Sequence, residues 1–118
     1  MNAIGVSIIS QSRTGAPAQT FADGTATRDP RKEALTIITR GTDRVLQLSE
    51  DDIAEAVRAY FEGRHNVTEG AGAAIALAGL MQERTRMSGK RVAVVLSGGN
   101  IDTSVYRRIL IGATPKVG

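Results

Sequence analysis

The chain has 118 residues, 42% of them hydrophobic, and carries 15 Lys and Arg against 12 Asp and Glu, a net charge of +3. That length suits one globular unit and leaves no room for two, while the lack of cysteine and the single histidine, His65, exclude disulfides, thiolate metal sites and a His-based metal cluster. The basic residues are dispersed among acids, as in "QERTRMSGKR", and only two Phe and two Tyr are available to stack on bases, so no nucleic-acid interface is expected.

The chain opens on "MNAIGVSIISQSR", which lacks the basic flank and long apolar region of a secretory signal, and no later apolar run approaches the ~20 residues of a membrane span. A cytoplasmic protein with no membrane association is expected. Within that opening "NAIGVSII" predicts a first strand, and "SQSRTGAPAQTFADGTATRDP" predicts a loop rich in turn-forming residues. Arg31 to Arg40 predicts a short helix closed by Gly41 at its C′ position, and Arg44 to Leu48 a short strand. Ser49 followed by Asp52 resembles a capping box with Asp in place of the usual Glu. Behind it, Ile53, Ala56, Val57, Tyr60 and Phe61 recur at helical spacing and predict a one-sided surface helix.

Glu69 to Met81, "EGAGAAIALAGLM", is small or apolar almost all round, which predicts a buried helix able to admit another backbone closely. Val92 to Leu96 is continuously apolar, as in a parallel strand covered on both faces. The strand ends in Ser97, Gly98, Gly99 and Asn100, where an open α/β sheet collects ligands. An ordinary Gly-rich turn fits the same four residues. A last helix is predicted from Ile101, with Asn100 either fixing the turn or capping that helix.

Taken together these elements predict an α/β fold, a three-layer arrangement of a few mostly parallel strands flanked by helices. At most three short strands and one helix able to cover them are present, too few to bury the apolar strand and helix on all sides. Residues 1–118 therefore read as a single partial domain, one part of a larger α/β layer.

The stretches "TFADGTATRDP", "LSEDDIAEAVRAYFEGRHNVTEGAGAAIALAGL" and "GKRVAVVLSGGNID" resemble the C-terminal part of threonine dehydratases, which belong to the fold type II pyridoxal-phosphate enzymes related to the tryptophan synthase beta chain. The resemblance runs from roughly Gly5 to Thr114, and the pairing of "EGAGA" with "SGGN" is more specific than either motif alone. It implies a fragment of that architecture, pyridoxal phosphate as cofactor of the complete enzyme, and conversion of a small hydroxy amino acid to a 2-oxo acid plus ammonia. Ser97 takes the place of the family serine that bonds the ring nitrogen, Gly98 and Gly99 leave space for the ring, and Asn100 stands in the same turn. Glu69 and Gly70 match the start of the helix beside the ring, although a carboxylate also suits any helix start. Asp23 resembles a residue of the loop on the substrate side, or is a turn aspartate before glycine. In the same segment "HNVT" reads as a structural His65 followed by a glycosylation pattern without meaning in the cytoplasm.

The family's Schiff-base lysine and phosphate loop lie N-terminal to the matched part, and Lys32, Lys90 and Lys116 stand outside any comparable motif. The resemblance therefore implies a chain inactive alone, completed by an N-terminal chain or associating with itself. No metal site is expected, since "IGVSII" carries Ser7 where relatives often turn to an acidic residue. A non-enzymatic remnant that serves oligomerisation or partner binding is the alternative.

Overall fold

The computed structural model describes residues 19–26 and 31–116. The predicted first strand and most of the loop after it lie outside the described residues. A single 3-10 turn, Asp23–Thr25, leads to α1 (Lys32–Gly41), α2 (Glu50–Arg64), a π-helical turn (Gly70–Ala74) continued by α3 (Ile75–Gln82), a short α4 (Arg84–Met87) and α5 (Thr103–Leu110).

The best-specified boundary is the start of α2. Ser49 Oγ accepts from Asp52 N–H at 3.1 Å, and the Asp52 carboxylate accepts from Ser49 N–H at 2.9 Å, so the reciprocal capping box forms with Asp at its third position. The far end stops at His65, whose left-handed φ of 55° turns the chain while its N–H bonds Phe61 O at 2.8 Å. His65 is thus the residue at which the backbone of α2 turns out of the helix. Between these ends Ile53, Ala54, Ala56 and Val57 are buried against the small-residue helix and α5, with Ala74, Ile75, Ala78 and Ile109 completing the centre.

Two helix boundaries differ from the sequence reading. Gly41 is the last residue of α1 rather than its left-handed cap, because Thr42 leaves in an extended conformation with its N–H on Ile38 O. The last helix begins at Thr103, with Asp102 as its N-cap and no side-chain cap bond, so Asn100 caps nothing. Helix α1 packs against no other helix among the described residues, and Ile37 is 72% exposed.

Neither remaining predicted strand forms a ladder or a helix; no strand is present among the described residues. Arg44 to Leu48 alternates exposed and half-buried positions, the period of an extended segment. It is tied to the end of the small-residue helix by the Arg44–Glu83 ion pair, with Arg44 Nε to Glu83 Oε1 at 2.8 Å, and by Gln82 Nε2 to Gln47 O at 3.3 Å. The apolar run carries Val95 at 73% exposed, with Val92 and Leu96 also open to solvent. A run patterned for burial on both faces thus keeps only Val94 half-buried among the described residues.

Candidate functional site

The candidate residues fall at the junction between the π-helical turn and the end of the extended apolar run. Ser97 N–H donates to Gly72 O at 2.9 Å and Ser97 Oγ donates to the same carbonyl. In the other direction Glu69 N–H reaches Gly98 O at 3.5 Å. Residues 69–72 and 97–98 are therefore joined through their backbones, which is what the small residues of both motifs permit. A π turn widens the helix, and such turns recur at functional sites.

The glycines here are required by close approach rather than by unusual dihedrals. A Cβ on Gly72 would lie 3.0 Å from Gly98 Cα and N and would also strike Glu69 Oε1. One on Gly98 would strike the same carboxylate oxygen, with Glu69 Cδ at 3.0 Å, and one on Gly99 would lie 2.8 Å from Val67 O. Across the helix start, a Cβ on Gly70 would meet Ala22 and Phe21 at 3.0 Å, which seats the turn carrying Asp23 against the same segment.

Two groups of candidates emerge, and Glu69 belongs to both. Ser97 and Gly98 lie against Gly72 and the Glu69 carboxylate. Asp23, Glu69, Gly70 and Asn100 share a cleft of about 210 Å³, walled by Phe21, Ala71, Ile101 and Val105, with Asp102 at its edge. Ser97, Gly98 and Gly99 are not part of the lining of that cleft. Its carboxylates come from Asp23, Glu69 and Asp102, yet no three potential metal ligands converge among the described residues. Lys32, Lys90 and Lys116 are exposed and none lines the cleft.

The sequence reading missed Thr68 and Phe21. Thr68 is the one fully buried polar side chain among the described residues, and its hydroxyl lies 3.2 Å from Glu69 O and 3.4 Å from Gly98 O. Its signal was a single polar residue between Val67 and Glu69 at the head of a small-residue run, hidden inside a glycosylation pattern. Phe21 forms a wall of the cleft, and its N–H donates to Glu50 Oε2 at 3.2 Å. No local periodicity marks it out, because its neighbours belong to an irregular turn.

A family model described as "Pyridoxal-phosphate dependent enzyme" matches residues 1–98. An L-threonine ammonia-lyase of Geobacter sulfurreducens is 45% identical over 99 residues, 80% of this chain and 24% of that protein. An L-threonine ammonia-lyase of Thermotoga maritima is 35% identical over 91 residues, 77% of this chain and 22% of that protein. Among solved structures, the threonine deaminase of T.th. superposes with a TM-score of 0.67 at 34% identity, over 75% of this chain and 31% of that one. The chain thus spans about a quarter of the length of the curated relatives it matches.

Proposed function

The chain belongs to the pyridoxal-phosphate-dependent enzyme family, and from that premise we propose that residues 1–118 are a partial domain, the C-terminal part of the catalytic core of a threonine or serine ammonia-lyase. Joined to the portion that brings the Schiff-base lysine and the phosphate loop, it takes part in converting a hydroxy amino acid to a 2-oxo acid and ammonia. Alone it is inactive. The observation that carries this reading is the junction of Ser97 and Gly98 with Glu69 and Gly72.

The residues at that junction fit the ring end of the cofactor. Gly72 and Gly98 bring the two backbones into contact, and the Glu69 carboxylate is the side chain that lies against both. Ser97 offers a hydroxyl whose proton turns about the Cβ–Oγ bond, away from Gly72 O and toward a neutral ring nitrogen. When bound, pyridoxal phosphate supplies an electron sink for negative charge at the substrate Cα.

A hydroxyl partner, unlike a carboxylate, would leave the ring nitrogen unprotonated and the sink mild, which is sufficient for elimination of a β-hydroxyl. Gly98 and Gly99 would leave room for the ring, Glu69 and Gly70 would border it from the helix start, and Asn100 lines the cleft. Asp23, on its exposed turn, would stand on the substrate side. In the complete core Val92 to Leu96 is a parallel strand, and its open apolar faces are covered there by neighbouring strands and helices.

Exposure of Val92, Val95 and Leu96 also favours a second reading, in which the chain covers these groups against another copy of itself and acts as an oligomerisation module. Co-expression with the lysine-bearing portion of a relative decides between them. Formation of 2-oxo acid from threonine or serine by the pair, and by neither piece alone, supports the enzyme reading. A stable complex that binds no cofactor contradicts it.

A further inference from the structure

The peptide between Gly98 and Gly99 is flanked by two residues without side chains, so nothing within the turn restricts its rotation. Its carbonyl is nevertheless aimed back at the helix start. Two donors face it there, the Glu69 N–H at 3.5 Å and the Thr68 hydroxyl at 3.4 Å. Thr68 is fully buried, and a buried hydroxyl requires an acceptor. Two backbone carbonyls lie within its reach, those of Glu69 at 3.2 Å and Gly98. Both distances are long for an O–H donor, and the hydroxyl stands between the helix start and the turn, facing a carbonyl of each.

We propose that Thr68 is a positioning residue of the cofactor site: its hydroxyl pins the Gly98 carbonyl to the head of the small-residue helix and thereby fixes the direction in which Ser97 presents its own hydroxyl. The proposal rests on the reading of Ser97 as the ring-facing residue. It assigns to Thr68 a part that neither motif reveals, because Thr68 is fully buried, lies outside the cleft lining and acts through the turn. The same pin sets the separation between Glu69 and Gly98, so loss of the hydroxyl frees the Gly98–Gly99 peptide and lets both ring-facing groups drift.

Two variants separate hydroxyl from bulk. Thr68→Val keeps the branched shape and removes the proton; Thr68→Ser keeps the proton and removes the methyl group. Amide hydrogen exchange on the chain itself is the first readout. In Thr68→Val, protection at the Glu69 and Ser97 amides falls about 10-fold relative to the α2 amides of Ala54 and Val57, the scale of one hydrogen bond, and Thr68→Ser restores most of it. Pyridoxal phosphate affinity of the reconstituted enzyme is the second, with a Kd raised about 3- to 10-fold in Thr68→Val and close to wild type in Thr68→Ser. Unchanged protection in Thr68→Val, an equal fall at Ala54 and Val57, or a Thr68→Ser variant as impaired as Thr68→Val each overturns the proposal. Cofactor affinity lowered by Ser97→Ala but not by Thr68→Val overturns it alone. Affinity unmoved in both variants overturns the cofactor-site reading and the proposal with it.

Discussion

Replacing Gly72 by alanine sets two effects of known sign against each other. Alanine in a helix is favoured over glycine by about 1 kcal/mol, because glycine loses more backbone freedom on folding. At Gly72 the added Cβ would lie 3.0 Å from Gly98 Cα and N, backbone atoms that cannot turn aside as a side chain can. Forcing a methyl group into such a gap costs about 1–3 kcal/mol. The net expectation is a loss of up to about 2 kcal/mol. Gly63, in the last turn of α2, has nothing within 4 Å of the corresponding Cβ, so Gly63→Ala reports the helix preference alone and stabilises by about 0.5–1 kcal/mol. Urea denaturation of both variants, with the slope m checked for constancy, measures the difference. A Gly72→Ala variant as stable as Gly63→Ala would refute the close approach of the two segments.

Ser49→Ala removes the capping hydroxyl of α2 and is expected to cost about 0.5–2 kcal/mol at neutral pH. The Ser49 hydroxyl and then the Ser49 N–H hold the Asp52 carboxyl below its ordinary value, so this stabilisation is present above the unfolded value of ~3.9 and is lost as pH falls through the folded one. Denaturation at neutral and acid pH should therefore show the gap between the wild type and Ser49→Ala narrowing below about pH 4, to the part that the Asp52 N–H bond to Ser49 Oγ supplies; a constant gap contradicts the reciprocal capping box. Ile109→Ala empties a fully buried position where α5 meets the core and should cost about 2–5 kcal/mol by the same assay, whereas a cost below ~1 kcal/mol would mean that α5 is not docked. The isolated chain should sediment as a dimer or larger species at low micromolar concentration, with Val95→Asp shifting it toward monomer; a monomeric wild type contradicts association through the open apolar run.

How much of this was legible depended on how local each signal is. The α2 cap was readable because Ser49 and Asp52 satisfy each other within one turn, and the burial of residues 73–75 and 78–79 because a run of alanines and glycines suits little else. The junction at Gly72 and Gly98 was legible only as two motifs and their resemblance, since 25 residues separate Ser97 from the carbonyl it bonds. The π turn left no trace in periodicity, because five small residues fit a wide helix as well as a normal one. Asn100 looked like a cap on composition, but it sits in a tight turn closed by Ile101 N–H on Gly99 O, and the helix begins only after Asp102. The strands were read from apolar runs that need neighbours to become strands, and among the described residues those neighbours are not found.

The central claim, that the turn after the apolar run faces the cofactor ring through Ser97, is tested most directly by the pyridoxal phosphate affinity and visible absorbance of the Ser97→Ala variant in the reconstituted enzyme. The account predicts a folded variant whose cofactor binding weakens by the equivalent of about 0.5–1.5 kcal/mol, with an altered absorbance band and a larger loss of turnover, because charge entering the ring strengthens that bond in the transition state. Affinity, band and turnover all matching those of the exposed control Arg84→Ala would contradict it.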